Sequence, residues 1–263
     1  MRRFLQRLTL VLLATGLLTG CTAQAAPIST TYGQHISLKG GSNVQDLGGI
    51  TTTTGRKIKA HRLIRSNQLA HLTKADTKIL TNQYQVKVVA DLHARNEIQA
   101  APDVELANAA YDQDSVVANG QVTGNTLQYY RDLVSTPVAR RGYTALFHQL
   151  LTNRSGALLY HCTYGKDRTG IATMLILSAL GVSKKTILQN YLYSNVNLAR
   201  GSRLAFKDPA KPNQPFKHVT AANLNAAYQE INHQYGSLTN FLRRLGLTPA
   251  KQQQLRQMYL TNR

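Results

Sequence analysis

The hydrophobic positions along the chain predict short buried strands that alternate with helices. Two apolar runs of strand length, Val86–Ala90 and Gly156–Tyr160, are typical of strands inside a parallel sheet. The apolar run that follows Arg168 is longer and stops at Gly181, which predicts a largely buried helix. Strands around a turn are predicted over residues 49–65, and further helices over residues 73–82, 125–134, 138–153, 183–198, 221–235, 238–245 and 249–260. The pattern therefore predicts a single α/β domain with a helical insertion and a helical C-terminal half.

The segment between the second strand and the buried helix has the composition of an anion-binding loop. Residues 161–170 read HCTYGKDRTG, so one cysteine precedes one arginine by six positions. The loop leads into the N-terminus of the helix, where unpaired N–H groups and the positive end of the dipole attract an anion. Gly165 permits the positive φ that a tight turn requires. Arg168 is suited to hold two phosphate oxygens with its planar fork, which a lysine cannot do.

Two residues of this loop carry the chemistry that phosphate hydrolysis needs. The field that attracts an anion also favours a thiolate, so Cys162 is predicted to be ionised at neutral pH and to act as the nucleophile. Asp167 is the predicted proton donor to the leaving oxygen. The rest of the loop is assigned to binding the substrate phosphate: Thr163, Tyr164, Gly165, Lys166, Thr169 and Gly170. Thr169 is also a candidate hydrogen-bond donor to the departing thiolate.

Other interpretations of the same residues remain open. A buried cysteine after a strand is often an inert core residue, and a Lys-Asp-Arg run is often a solvated charge cluster. A rhodanese-like sulfurtransferase also holds a cysteine in an anion-binding loop. The conjunction of strand, cysteine, glycine, arginine and helix favours phosphoryl chemistry over these alternatives.

The loop resembles that of the bacterial secreted tyrosine-protein phosphatases of the PtpB/LipA-like kind, which reads HCxAGKDRTG. Residues 43–49 (NVQDLGG) resemble the family's NFRDLGG opening, and residues 62–66 with 72–76 resemble its LYRS…LTxAD stretch. Residues 88–92 with Glu97 and 102–103 resemble DLRSxxE…PD, and residues 236–248 its closing helices. The resemblance implies a cysteine-phosphatase-like fold with a central, mostly parallel sheet flanked by helices. It also implies that part of the helical insertion covers the site as a lid, with plain packing on the sheet as the alternative.

The resemblance further implies the activity. Relatives act on phosphotyrosine, often with phosphoserine, phosphothreonine or phosphoinositides as additional substrates, and they use the loop aspartate as the acid, which here is Asp167. Three departures leave substrate preference open. Tyr164 stands in place of a small loop residue, Gln45 in place of the arginine of the opening motif, and His93 in place of the arginine of the strand-end motif. Arg95 is a candidate replacement for one of the two arginines.

Three more residues are candidate supports of the site. Asp91 lies at the predicted carboxyl end of a strand, where α/β active sites gather, and is the second candidate acid, with a structural role as the alternative. His161 is a candidate support for the backbone of the cysteine, and Asp46 belongs to the opening motif. The histidines are scattered without the spacing of a metal site, so neither a metal nor a cofactor is expected.

The N-terminus predicts export. Three arginines precede an apolar run from Leu8 to Leu18, which is shorter than a membrane span and typical of a signal peptide over residues 1–20. The Leu-Thr-Gly-Cys sequence that ends at Cys21 resembles a bacterial lipobox, so a lipidated Cys21 at the outer face of a membrane is predicted. The alternative is an ordinary cleaved signal and a secreted protein. Residues 21–38 are predicted to be a tether and residues 39–263 the phosphatase domain.

The charge of the chain limits its partners. The formal net charge of +19 implies attraction to polyanions such as anionic lipids or envelope polymers. No nucleic-acid-binding module is recognisable, and no nucleic-acid partner is expected. Five basic residues lie in a proline-containing stretch from Arg200 to Lys217, which is either a docking surface for acidic substrates or a solvated loop. A non-enzymatic, polyanion-binding surface lipoprotein is therefore the remaining alternative function.

Overall fold

The structure is a computed structural model that describes residues 32–120, 126–200 and 218–262. Its strands are β1 (Gln34–His35), β2 (Gln45–Asp46), β3 (Leu63–Ser66), β4 (Val86–Asp91), β5 (Ala110–Gln113) and β6 (Ala157–His161). Its helices are α1 (Lys74–Lys78), α2 (Arg95–Ala100), α3 (Thr126–Ser135), α4 (Pro137–Thr152), α5 (Arg168–Leu180), α6 (Lys184–Arg200), α7 (Ala221–Tyr235), α8 (Leu238–Arg244) and α9 (Pro249–Tyr259). The predicted signal peptide, Cys21 and residues 201–217 of the basic stretch lie outside the described residues.

The six strands form one sheet in the order β1-β2-β3-β6-β4-β5. Strands β3, β6, β4 and β5 are parallel, and only the short β1 and β2 at one edge are antiparallel, which confirms the predicted α/β fold with a mostly parallel sheet. In the register of β6, His161 lies opposite Ser66 of β3 and Asp91 of β4. The carboxyl ends of three strands therefore meet where the loop after β6 begins.

Alternate residues of β6 belong to two separate cores on the two faces of the sheet, as the pleat requires. Leu158 and Tyr160 lie in the larger core, which the helices α3 to α9 complete. Ala157 and Leu159 lie in the smaller one, which the N-terminal segment and the region of α1 complete. Because every residue of β6 is buried, the sequence of this strand has no polar positions to alternate with.

Helix α5 packs on the sheet with all of its residues buried except Ser178. It ends at Gly181, whose φ of +90° is the left-handed conformation that a glycine C-cap adopts readily. Helix α4 starts with Pro137 in its first turn, after a Thr136 cap, so the proline begins this helix. Within the described residues, no helix is both long and apolar enough to cross a membrane.

Two predictions about local structure were wrong. Residues 34–38 are predicted to belong to the tether, but β1 pairs with β2, and Ile36 and Leu38 are buried, so the domain starts before residue 39. Between residues 49 and 62 the chain forms two isolated bridges, Thr51 with Lys57 and Ile58 with Leu260, rather than regular strands. The helix predicted over residues 73–82 is present, but its second half is a π-helical turn over Ile79–Gln83, closed by the bond from Tyr84 N–H to the Ile79 carbonyl.

Candidate active site

The loop from Cys162 to Asp167 joins the end of β6 to the start of α5, as the sequence predicts. Cys162 is the first residue after the strand, is 2% exposed and is not in a disulfide. Gly165 has a φ of +64°, and a Cβ atom at this position would lie 2.5 Å from the Ser66 carbonyl oxygen. Only glycine satisfies both the backbone conformation and the close approach to the end of β3.

Two side chains from outside the motif hold the carbonyl groups of this loop. The Asn43 amide donates to the carbonyl oxygens of Tyr164 and Gly165 at 3.1 and 2.9 Å. The Arg65 guanidinium donates to the same Gly165 oxygen at 2.6 Å. In a trans peptide the N–H points away from the carbonyl group. Fixing these carbonyls on one side therefore directs the following N–H groups to the other side, where they can converge on an anion.

Arg65 is a fully buried cation beneath the loop. Its other contacts are the neutral oxygens of Asn190 at 2.7 Å and Ser194 at 2.9 Å, and no carboxylate of the described residues forms an ion pair with it. Burial lowers the pKa of Arg65, while the nearby Tyr160 and Cys162 oppose that shift. A buried cation without a carboxylate partner favours an anion close by, and Cys162 is one of the groups that act on it.

Arg168 is held in place by Glu97 of α2. Its Nη1 and Nη2 atoms donate to Glu97 Oε2 and Oε1, the second at 2.9 Å, and Nη2 also donates to Thr163 Oγ1 at 2.9 Å. Burial opposes ionisation of Glu97, but the bonds and charge of Arg168 bring its pKa down to about 2. Burial likewise opposes the charge on Arg168, yet Tyr129, Cys162 and the bonds to Glu97 keep the pKa of Arg168 well above its ordinary value. The guanidinium is thus a fixed cation with a set orientation.

Thr163 joins several of these groups through its hydroxyl. Its Oγ1 atom donates to Glu97 Oε1 at 3.0 Å and lies 3.1 Å from His93 Nε2, in addition to its bond from Arg168. The side chain predicted to bind phosphate is therefore used to fix the arginine. Any contact of Thr163 with substrate is left to its backbone.

His161 places a second buried positive charge next to the nucleophile. Its Nε2 lies 2.8 Å from Asp103 Oδ2 and 3.9 Å from Asp91 Oδ1. Burial opposes protonation of the ring, but Asp103 and Asp91 raise the pKa of His161 to about 9. At neutral pH an imidazolium therefore lies beside the start of the loop.

Asp91 is engaged in structural contacts and does not have the environment of an acid. Its Oδ1 accepts from the N–H and Nδ1 of His93 at 2.9 and 2.7 Å, and its Oδ2 accepts from the Tyr111 hydroxyl at 2.6 Å. Burial opposes ionisation, but His161, His93 and Tyr111 hold the pKa of Asp91 well below its ordinary value. A carboxylate that keeps its charge so firmly is a poor proton donor, so the geometry favours the structural alternative.

The side chains around Asp91 are also a candidate site for a metal ion. Asp91, His93 and His161 bring a carboxylate oxygen and two ring nitrogens within 4.8 Å of one another, and this is the one such group among the described residues. Hydrogen bonding between Asp91 and His93, and the pairing of His161 with Asp103, already use these atoms. The cluster is therefore explained by its own ion pairs.

Asp167 lies at the other side of the loop with both carboxylate oxygens engaged. Tyr130 of α3 donates to Oδ1, and Lys166 Nζ donates to Oδ2 at 2.7 Å. The Tyr130 hydroxyl in turn accepts from that of Tyr191 on α6 at 2.6 Å. Lys166 Nζ also lies 5.8 Å from the centre of the Tyr164 ring, so the ammonium group contacts both the acid and that ring.

Tyr129 lies close enough to several reactive groups of the site for their charges to act on it. Burial raises the pKa of its hydroxyl well above the ordinary value, and the charges that act on it belong to Arg168, Asp167, Cys162 and Glu97. Tyr129 and Tyr164 are therefore aromatic side chains close to the signature loop, and both are half-buried.

Two predicted site residues have structural roles, and a third, Thr169, has a hydroxyl without a partner among the described residues. The Asp46 carboxylate accepts from the N–H groups of Gly48 and His61 at 2.8 and 2.9 Å, so it holds a turn on the β2 side of the sheet. Gly170 leaves room for the Tyr191 ring, whose Cε2 atom lies 2.8 Å from where a Cβ would be. The Thr169 hydroxyl is fully buried and forms no hydrogen bond within the described residues, so a bond to the departing thiolate remains a prediction.

The two residues that stand in place of the arginines are both buried. Gln45 is fully buried, and its Oε1 lies 3.4 Å from Asn190 Nδ2. His93 is 4% exposed and is fixed between Asp91 and Thr163. Arg95 is exposed at the start of α2.

Several supporting residues were not assigned a role from the sequence. Asn43, Arg65, Glu97 and Asp103 lie in motifs that the family resemblance had marked, which was the available signal. For Tyr130 and Tyr191 the sequence offered no such signal. Each is one of thirteen tyrosines in the chain, and each lies in a predicted helix.

Comparison with known proteins assigns the chain to a family. Residues 36–261 match the model of the tyrosine phosphatase family. A putative tyrosine-protein phosphatase of Cupriavidus necator is 32% identical over 84% of this chain and 87% of that protein. The triple specificity protein phosphatase PtpB of Mycobacterium tuberculosis is 25% identical over 85% and 98% of the two chains. Among solved structures, TpbA of P. aeruginosa in complex with pTyr aligns with a TM-score of 0.40 and 17% identity, over 76% of this chain and 98% of that one. With its signature loop folded between β6 and α5, the chain belongs to the tyrosine phosphatase family and is a protein-tyrosine phosphatase-like hydrolase.

Proposed function

We propose that the protein hydrolyses phosphomonoesters, with phosphotyrosine in proteins as the first substrate, through a phosphocysteine intermediate. The observation that carries this proposal is the position of Cys162 at the floor of the loop, at the N-terminus of α5, with Arg168 fixed by Glu97. Loop N–H groups and the guanidinium are the preorganised donors that a transferring phosphoryl group needs.

The reaction has two displacement steps. The Cys162 sulfur attacks phosphorus, the bond from phosphorus to the phenolic oxygen breaks, and Asp167 gives its proton to that oxygen. In the second step Asp167 takes a proton from water, the water oxygen attacks phosphorus, and the bond from phosphorus to sulfur breaks. Inorganic phosphate leaves and the thiolate is restored, so no cofactor is consumed.

The depth of the site supports phosphotyrosine as the first substrate. Cys162 is 2% exposed and Arg168 6% exposed, so a phosphate must reach well below the surface to meet both. A phenyl ring carries its phosphate farther from the peptide backbone than a serine or threonine side chain does. Tyr129 and Tyr164 offer that ring aromatic neighbours. One relative is named a triple specificity phosphatase, which supports including phosphoserine, phosphothreonine and phosphoinositides as further substrates.

The test is phosphate release by the reduced full-length chain alongside Cys162→Ser and Asp167→Asn. The panel contains phosphotyrosine, phosphoserine and phosphothreonine peptides and phosphoinositide vesicles. We expect turnover by the wild type, fastest on phosphotyrosine, none by Cys162→Ser, and a loss of about 10²-fold or more in Asp167→Asn. Wild-type turnover that survives in Cys162→Ser would refute the mechanism. No turnover by the wild type on any substrate would favour the polyanion-binding alternative.

We also propose that the protein works outside the cytoplasm, anchored by lipid at Cys21. The support is the sequence of residues 1–21, and the charge of +19 is compatible with an anionic envelope. Mass spectrometry of the N-terminal peptide from membranes tests this, with Cys21→Ser as the control. A peptide that still begins at Met1, or an unmodified Cys21, contradicts the proposal.

A further inference from the structure

The carboxylate of Asp167 is held by two donors from different parts of the fold. Lys166 belongs to the loop itself, and its side chain is 9% exposed and lies next to the half-buried Tyr164. Tyr130 is 1% exposed and comes from α3, outside the signature loop. Lys166 binds one oxygen of the acid, and Tyr130 binds the other.

The Tyr130 side is built from a chain of two hydroxyl groups. Tyr191 donates to Tyr130 at 2.6 Å, Tyr130 donates to Asp167, and the two rings meet edge to face with centroids 6.3 Å apart. Burial and the Asp167 carboxylate raise the pKa of Tyr130 well above its ordinary value, so its hydroxyl keeps its proton and remains a donor. Gly170 in the signature loop leaves the space that the Tyr191 ring fills. The two hydrogen-bonded hydroxyl groups therefore connect α3, α5 and α6 at Asp167.

A general acid must present one oxygen to the leaving group, with its proton on that oxygen. Oδ1 is bound by Tyr130 and is not available, so Oδ2 is the oxygen that faces the reaction. A bound phosphate attracts Lys166, which frees Oδ2 to take a proton from solvent. That proton passes to the phenolic oxygen as its bond to phosphorus breaks, and the proton of Tyr130 stays where it is.

We propose that Tyr130, itself fixed by Tyr191, is a positioning residue that holds Asp167 for proton transfer from Oδ2 to the leaving oxygen. This inference rests on the proposed function. It assigns a catalytic task to a residue of the helical insertion, which the sequence pattern marks only as a helix packed on the domain.

The experiment compares Tyr130→Phe with the wild-type full-length chain on two substrates. A phosphotyrosine peptide has a basic leaving group that needs a proton, whereas 4-nitrophenyl phosphate has an acidic one that does not. We expect kcat on the peptide to fall about 10–100-fold with little change in KM, and kcat on 4-nitrophenyl phosphate to fall less than about threefold. Tyr191→Phe is expected to act in the same direction with a smaller effect.

Two comparisons separate positioning from a general loss of structure. In an Asp167→Asn background, Tyr130→Phe is expected to cause no further loss, because its effect passes through the acid. Tyr235→Phe removes a hydroxyl that bonds to α3 at the Val134 carbonyl but touches no site group, and it is expected to keep wild-type rates. Equal losses on both substrates, or a full additional loss in the Asp167→Asn background, would overturn the inference. A wild-type chain without turnover on either substrate would instead overturn the proposed function.

Discussion

Glu97→Gln tests how strongly the pairing with the signature arginine contributes to the domain and to its chemistry. In the wild type, two oxygens of Glu97 accept from two nitrogens of Arg168, and Thr163 donates to one of the same oxygens. Glutamine has nearly the same shape but has one acceptor oxygen and no charge. The substitution therefore removes the ion pair and leaves the volume of the side chain unchanged.

The size of the effect follows from the ionisation of Glu97. Its pKa is about 2, against an ordinary value of 4.5. At about 1.4 kcal/mol for each pKa unit, this difference corresponds to about 3 kcal/mol of folding stability at neutral pH. Because 20% of the side chain is exposed, solvent screening makes this an upper bound. The stabilisation is complete above pH 4.5 and is lost as the pH falls through about 2, since the folded state holds the charged form more strongly than the unfolded state.

Urea denaturation of both chains over a pH series measures the difference. We expect Glu97→Gln to be less stable by about 2–3 kcal/mol near neutral pH, with the gap narrowing once the pH is below about 4.5. Glu105→Gln removes an exposed carboxylate of the same type and is the matched control, with an expected change below about 0.5 kcal/mol. A gap for Glu97→Gln that is below about 1 kcal/mol, or constant with pH, would refute the assignment of this energy to the ion pair.

The same variant has a catalytic consequence. Arg168 keeps its charge but loses the contact that orients its fork, so stabilisation of the phosphoryl group in the transition state is reduced. We expect kcat on a phosphotyrosine peptide to fall about 10²-fold, a loss similar to that of one oxyanion donor. Wild-type kcat together with the expected loss of stability would show that the pairing serves the fold alone.

Two further substitutions test the supports of the loop. Gly165→Ala is expected to lower stability by more than the roughly 1–3 kcal/mol of backbone strain alone and to lower kcat, because its Cβ would meet a carbonyl oxygen at 2.5 Å. Gly55→Ala, also at positive φ but with no atom within 4 Å, isolates the strain, and equal losses of stability would contradict the contact argument. Asp103→Asn is expected to lower the pKa of His161 from about 9 and to slow alkylation of Cys162 by iodoacetamide at neutral pH about threefold or more. NMR titration of the ring and the alkylation rate measure both, and unchanged values would refute the role of the carboxylate.

The buried elements were the ones that the sequence predicted best. Strands β4 and β6 and helix α5 were found within a residue or two, because β6 and α5 are almost fully buried apolar runs and β4 is rich in β-branched residues around the exposed Lys87. Strand β5 was missed because it is an edge strand whose residues are exposed or half-buried, so its sequence AYDQ carries no pattern. The π-helical turn at Ile79–Gln83 was also missed, because its hydrogen bonds leave no mark in the order of polar and apolar residues.

For the site, the sequence predicted the residues that are contiguous and left out those brought together by folding. The loop could be interpreted because its candidate nucleophile, acid and arginine all lie within ten consecutive residues. The supports of the loop come from the segment before β2 and from β3, α2, α3 and α6. They are neutral or charged side chains of ordinary type, which nothing local marks as functional. Asp91 shows the limit of position along the chain: a carboxylate at a strand end allowed either an acid or a structural role, and its bonds with His93 and Tyr111 favour the structural role.

The signature loop serves as much to hold itself in place as to bind phosphate. The Thr163 hydroxyl forms hydrogen bonds with Glu97 and Arg168. Gly165 permits close contact with the end of β3, and Gly170 permits the approach of Tyr191. Each of these loop residues requires a partner from another element, so the loop sequence alone does not specify the geometry of its reactive groups. The helical insertion is part of that requirement, because α3 carries the tyrosine bound to the acid. A scaffold that displayed the loop without α2, α3 and α6 would therefore retain the cysteine and the arginine, but it would lack the contacts that aim the guanidinium and the carboxylate at one phosphorus atom.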